Sequence, residues 1–465
     1  MAVQRYFRFG MIWAAMLGWL AFPAPEGRSQ ENSEQTPFKL FGRREVVSES
    51  QLRKAGQFRL PTLTAHDEQI LIEHCLMLTD LKVVNDARCH GLGPWSFAGL
   101  MTEVTNAPVT GLDPKQFVYD WINAVEGSFT VSALETWDKL SGGSGKLNEI
   151  KFDGLKLDKV PFRLLAIVNR LDLRKNLVLG GTGAGEIRFV YFLHDANGVP
   201  LNTTVIFEFA VRRTTFNEIR AWGREWYQLR LIDLEKPEFN IALQQITDQY
   251  TLRGADVEMP PNQSALSQIR VSIEEGKNWR FAEFKVDVQN SGKLVPVTTK
   301  QTPLLDLNKS KTINKFLADY EAAILGNRHQ APVRFDGEDF LARNANLSSG
   351  RPPQFFWTGD RLPDKLLEAR HRFSLNTCSG CHARETDTDF FHVGPPKKKG
   401  DIAMLSKFLT GIEVADPAGQ RADDDPSKTK RRKFHDLKDR AEDLQRLVEI
   451  GLSYESARAP LNSVH

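Results

Sequence analysis

The chain has 465 residues, of which 41% are hydrophobic and 26% charged, with a formal net charge of +2. That is the composition of a globular protein long enough for two domains or three small ones. The near-neutral balance excludes a global basic or acidic field of the kind that points to nucleic acid or another charged polymer as partner.

Two arginines in MAVQRYFR precede an uncharged apolar run, FGMIWAAMLGWLAF, and then PAPEGRSQ, rich in proline and small residues. Basic, apolar and small-residue regions in that order predict a secretory signal over residues 1–29, cleaved near Ser29. The run is shorter than the ~20 apolar residues of a spanning helix. The mature chain is therefore expected in the periplasm or secreted, without a membrane span. Residues 30–60, polar and aperiodic, read as a flexible linker.

The pattern over Thr64–Leu81 predicts a helix with acidic residues in its first turn, and FVYDWINAV (117–125) a second. PFRLLAIVNRLDL (161–173) reads as a buried strand. GEIRFVYFL and TTVIFEFAV flank a turn containing Asn197-Gly198, which predicts a hairpin. FNEIRAWGREWYQLRLIDL has helical spacing, its aromatics facing a core. IRVSIEE, WRFAEFKVDV and LVPVTTKQ are further strands, and INKFLADYEAAIL (313–325) a helix. Residues 61–350 thus read as one α+β domain with an antiparallel sheet. Asp172 and Glu208 read as buried carboxylates, with Arg170 or Arg174 as partner in a structural salt bridge. GGTGAG (180–185) lacks the Lys-Ser/Thr of a phosphate loop, and no Gly-x-Ser-x-Gly elbow occurs.

The proline- and aromatic-rich RPPQFFWTGDRLP (351–363) marks a boundary. Beyond it DKLLEARHRF, DIAMLSKFLTGI and FHDLKDRAEDLQRLVEIGL predict three helices, a small all-α domain over 351–465. The basic runs KKK (397–399) and KTKRRK (428–433) read as solvated loops or as a docking surface for an acidic redox partner.

Four cysteines are present: Cys75, Cys89, Cys378 and Cys381. In an oxidising compartment thiols need an explanation. Cys75 and Cys89 are spaced for a disulfide. Cys378-Ser-Gly-Cys-His382 carries the attachment signature of c-type haem. Two thiols two residues apart can reach both vinyl groups of one porphyrin, and the next histidine then lies over the ring as proximal iron ligand. His392 and Met404 are the candidate distal ligands, with His435 and His465 further away. Two alternatives use the same residues: zinc held by Cys378, Cys381, His382 and His392, or a disulfide between Cys378 and Cys381.

With a helix before the motif and another after it, this part resembles a c-type cytochrome domain over about 100 residues. The resemblance implies one covalent haem c and electron transfer, in a carrier rather than a catalyst. An open distal face would instead imply a haem enzyme such as a peroxidase. The phrases PFRLLAIVNRLDLR, GEIRFVYFL, TTVIFEFAV, FSLNTCSGCHARET, FFHV and LSKFLTG together resemble an uncharacterised family of exported bacterial proteins of the myxobacterial type. That likeness covers most of the mature chain. It implies an extracytoplasmic location, and FFHV close to TCSGCH as a family feature, which favours His392 as a ligand.

Overall fold

In the computed structural model, residues 65–175, 183–275, 278–289, 291–348, 355–418 and 430–450 are described. The expected signal peptide, the linker to residue 60 and His465 lie outside them.

The order opens with helix α1 (Ala65–Leu76), which has Asp67 and Glu68 in its first turn, and the short strand β1 (Met77–Leu78). The longer helices that follow are α2 (Phe97–Thr105), α3 (Pro114–Val125) and α4 (Gly127–Ser141). Ser96 caps α2 by accepting the Gly99 N–H at 2.9 Å, and Asp113 caps α3 with Pro114 in the first turn. These side chains satisfy N–H groups that have no partner within a helix.

The sheet is built next. Strands β2 (Phe162–Arg170), β3 (Glu186–His194) and β4 (Pro200–Ala210) pair antiparallel. The β3–β4 turn is the expected one: Gly198 takes φ +79°, open to glycine without strain, and its N–H donates to Asp195 O at 2.9 Å. Helices α5 (Phe216–Gln228) and α6 (Pro237–Thr251) intervene, α5 opened by a reciprocal Thr215–Glu218 capping box. Strands β5 (Leu266–Glu275), β6 (Asn278–Val286) and β7 (Leu294–Val297) continue the sheet. The segment 313–325 is two helices, α7 (Lys311–Asp319) and α8 (Glu321–Leu325), separated at Tyr320, whose ring stacks on Phe316. Strand β8 (Ala345–Ser348) completes an eight-stranded sheet of order β1-β2-β3-β4-β5-β6-β8, with β7 also on β6. Every pairing is antiparallel.

Both faces of this sheet are covered. Alternation sends Ile187, Phe189 and Tyr191 of β3 and Val205, Phe207 and Phe209 of β4 to one face, where they pack on Phe97, Trp121, Phe129 and Trp226 of the helices. The opposite face carries Leu165, Val168, Val190 and Phe192, packed against Leu375, Cys381, Phe408, Phe434 and Leu437 from the last quarter of the chain.

That last quarter runs α9 (Leu367–Leu375), a one-turn helix α10 (Cys378–Cys381), strands β9 (Val393–Gly394) and β10 (Met404–Leu405), and the turn α11 (Lys407–Thr410). Strands β11 (Ile412–Ala415) and β12 (Arg431–Phe434) and helix α12 (Asp436–Gln445) follow, the last running into a π-helical turn at Arg446–Ile450. It is α+β rather than all-helical, because β9–β10 and β11–β12 are strand pairs. The segment expected as one helix over 401–412 is the strand β10 and a single turn. Ser406 is tied to the loop before it, its N–H donating to His392 O at 2.9 Å, and Gly411 leaves the turn at φ +126°. Helix α12 packs on α1, and the turn after it on α5, so the end of the described chain closes against its beginning. Residues from both sides of 350 share these cores, and the described residues belong to one compact unit.

The expected Cys75–Cys89 disulfide is not formed. Both are buried free thiols; Cys75 lies in α1 facing the core, and Cys89 Sγ points to the Val83 carbonyl at 3.2 Å. Cys378 and Cys381 are likewise free, so the disulfide alternative for them is not formed either.

Candidate functional site

Helix α9 delivers the chain to Thr377, which caps α10 by accepting the Gly380 N–H at 2.9 Å while its own hydroxyl donates to Ser374 O at 2.8 Å. Only glycine fits at position 380, where a Cβ would lie 2.2 Å from the Ser374 carbonyl oxygen. The turn is held from outside as well. Cys378 N–H donates to Thr302 Oγ1 at 3.1 Å, and the Trp357 indole N–H donates to Ser379 Oγ at 2.9 Å.

The two cysteines face different surroundings. Cys378 packs with Trp279, Phe281, Ala345, Ala383 and Phe390, and Cys381 joins the core on the second face of the sheet. Burial pushes the Cys378 thiol up to about 11 and that of Cys381 well above its ordinary range, so both are protonated.

His382 follows α10 directly. Its Nδ1 bonds the Phe390 carbonyl and so carries the proton, which leaves Nε2 as the ring's lone-pair donor. The ring lies 4.6 Å from Phe281 and 4.7 Å from His392 between centroids. His392 has Nδ1 2.8 Å from Ser406 Oγ and Nε2 3.6 Å from Cys381 Sγ, partners that can donate or accept. Burial lowers His382 to about 3; burial, then the neighbouring His382, carries His392 well below the ordinary value. Both rings are neutral, the form that binds a metal.

Two charge networks frame the turn. Arg370 is bidentate to Glu385 at 2.7 and 2.8 Å and reaches Asp416 at 3.0 Å; His371 also bonds Glu385. Arg432 closes on Asp416 at 2.8 Å, so this part of the basic run at 428–433 is turned inward. On the sheet, Arg170 pairs with Asp172 at 2.8 Å, as the sequence suggested, and Arg188 pairs with Glu208 at 3.1 Å. Arg174 pairs instead with Asp443.

A cavity of about 50 Å³ lies between the two histidines and the sheet, lined also by Arg170, Arg188 and Arg440. A second of about 20 Å³ shares His382 and Ile206 with it and is lined also by Cys378 and Arg270. Arg440 bonds Asp436, yet its Nη1 has no hydrogen-bond partner although fully buried. An orphaned guanidinium nitrogen at a cavity beside two histidines fits a bound group carrying a carboxylate.

The side-chain types are those that a haem c uses: two thiols on one turn, a histidine with its tautomer fixed by a carbonyl, and a second histidine beside it. The voids are smaller than the ~300 Å³ at which ligand pockets begin, so the chain is packed more tightly here than around a macrocycle. Among the described residues no three His, Cys, Asp or Glu side chains converge as a metal site by themselves. Met404 does not join the site; it is 41% exposed on β10. His435 is half-exposed and lies 3.6 Å from Glu73.

Sequence reasoning missed Arg440, Glu385, Thr302 and Trp357. Arg440 had a signal: it stands at helical spacing between Leu437 and Leu444, a charge within an apolar stripe. Thr302 and Trp357 meet the turn only through folding and left none.

No protein-family model, no curated protein and no solved structure matches the chain. Among the described residues no helix is long and apolar enough to cross a membrane.

Proposed function

We propose that the chain is an exported monohaem c-type protein that transfers electrons. The observation that carries this reading is His382 on a capped Cys-x-x-Cys turn, with its Nδ1 bonded to a backbone carbonyl and His392 4.7 Å away. Cys378 and Cys381 would hold the haem through thioethers, and His382 would supply an iron ligand, with His392 the candidate for a second. When bound, the group would supply a one-electron iron couple whose potential follows from its ligands. The chain's part is to fix the tautomer of His382, exclude water and place Arg440 for a carboxylate. The likeness to a c-type cytochrome domain and to the exported myxobacterial-type family supports this reading, as does the signal-like N-terminus with its periplasmic or secreted location. An acidic redox partner would meet the exposed Lys397 and Lys398.

The test is a pyridine haemochrome spectrum and a denaturing-gel haem stain on protein matured in a host with covalent haem attachment. A c-type band that survives denaturation supports the reading, and its loss in Cys378→Ser/Cys381→Ser locates the linkage. One observation favours a second reading: Cys381 Sγ lies 3.6 Å from His392 Nε2, the start of a structural zinc clip. About one zinc per chain by metal analysis, with no covalent haem, would establish it and overturn the first.

A further inference from the structure

A larger cavity, about 560 Å³, lies away from the histidines. It opens at the end of the sheet where β3 and β5 begin and β4 and β6 end. Its volume is in the range of small-molecule sites. Leu266, Val211 and Val286 give it an apolar wall, and Lys285 and Lys300 stand in it.

The carboxylates around it are already engaged. Glu186 pairs with Arg188 at 2.9 Å, Asp256 with Arg212, and Glu283 with Arg270 at 3.4 Å. No hydrogen bond or ion pair among the described residues engages the amines of Lys285 or Lys300; Lys300 uses only its backbone N–H, which reaches Glu283 at 3.4 Å. Two half-buried ammonium groups therefore share one cavity without a dedicated counter-ion, an arrangement that favours an anion between them.

We infer that this cavity binds a small organic anion, its carboxylate or phosphate held between Lys285 and Lys300 and its apolar body against Val211, Leu266 and Val286. The electrostatics agree: burial, then Lys300, lowers the Lys285 amine below its ordinary value, a strain that a bound anion relieves. The position also has a consequence. Phe281, Glu283 and Lys285 alternate on one face of β6. At a rise of about 3.3 Å per residue, Lys285 lies about 13 Å along the strand from Phe281, the ring that packs on His382. The proposed ligand would sit at one end of the face that carries the histidine site.

The test is isothermal titration of the full mature chain with phenyl phosphate and with phenylacetate, at constant ionic strength in chloride. Saturable binding of either is expected, and which one binds separates a phosphate from a carboxylate ligand. Lys285→Gln/Lys300→Gln should weaken it at least tenfold, with a melting temperature within a few degrees of the parent. Lys293→Gln, which removes an amine paired with Asp120 outside the cavity, should leave it unchanged. No saturable binding of either probe, or equal affinity in the double variant, would overturn the inference. Neither outcome depends on whether haem is attached.

Discussion

Glu385, three residues past His382, is fully buried. Burial works to raise its carboxyl, but Arg370 and His371 overcome this and hold it down at about 2. A depressed carboxylate contributes stability that is complete above its unfolded value, about 4.3, and lost as pH falls through about 2. Glu385→Gln leaves Arg370 short of a buried partner and is expected to cost about 3–5 kcal/mol at neutral pH. In urea titrations at several pH values, the variant should lack the part of the wild-type loss that falls between about pH 4.3 and 2. His329 titrates in a different window. Burial lowers it to about 4, and neither ring nitrogen has a hydrogen-bond partner. Its neutral form favours the fold above about pH 6.5, and each unit below that costs about 1.4 kcal/mol until about pH 4. His329→Leu should raise stability at pH 7 by about 1 kcal/mol, since an unsatisfied polar ring is removed. It should also flatten the pH slope between 6.5 and 4; an unchanged slope would show that His329 is not the buried group titrating there.

Turn α10 is the element on which the histidine site depends, and Gly380 is its tightest point. Gly380→Ala should cost about 1–3 kcal/mol through overpacking against Ser374 and Thr377. Gly154→Ala, where a Cβ meets nothing within 4 Å, serves as the control. Thermal melts should separate the two variants, and equal melting temperatures would contradict the packing at Gly380. At this scale most of the sheet was legible. Strands β2 to β6 announce themselves by apolar runs and by Asn197-Gly198, and α5 by its aromatic spacing and its Thr215 and Glu218. The segment around Met404 was not. Its apolar residues fit helical spacing, but the hydrogen bonds that decide its form come from Gly394 and His392, across a loop. Of the site, the Cys378–His382 signature and the nearness of His392 were legible. The placement of Thr302, Trp357 and Arg440 was not, because contacts between distant segments leave no local period.

The last quarter of the chain is a covering layer for the sheet. Leu375, Phe408, Phe434 and Leu437 have their apolar partners in Leu165, Val168, Val190 and Phe192 on β2 and β3. A fragment of residues 355–450 expressed alone should therefore lack fixed tertiary structure, read as collapsed amide dispersion in a nitrogen–proton correlation spectrum. Well-dispersed peaks would show that the layer folds by itself. The polar residues along the buried face follow the same logic. Arg188, Glu208, Arg270 and Glu283 form ion pairs across neighbouring strands, which offsets the cost of closing the covering layer over their charges.

Cys378 and Cys381 lie beneath this layer, at 3% and 0% exposure, with protonated thiols. A protonated sulfur shielded from solvent is a poor nucleophile. Any bond to these sulfurs must then form before the layer closes, and biogenesis becomes a race between modification and folding. In the chain without attached haem, iodoacetamide should label neither cysteine in the folded state but both in urea, as read by mass spectrometry. Slowing the closure, by lower temperature or a weakened α12, would widen the interval in which a maturation enzyme can reach them. The step that limits yield would then be an order of events during assembly, and not an affinity of the finished protein.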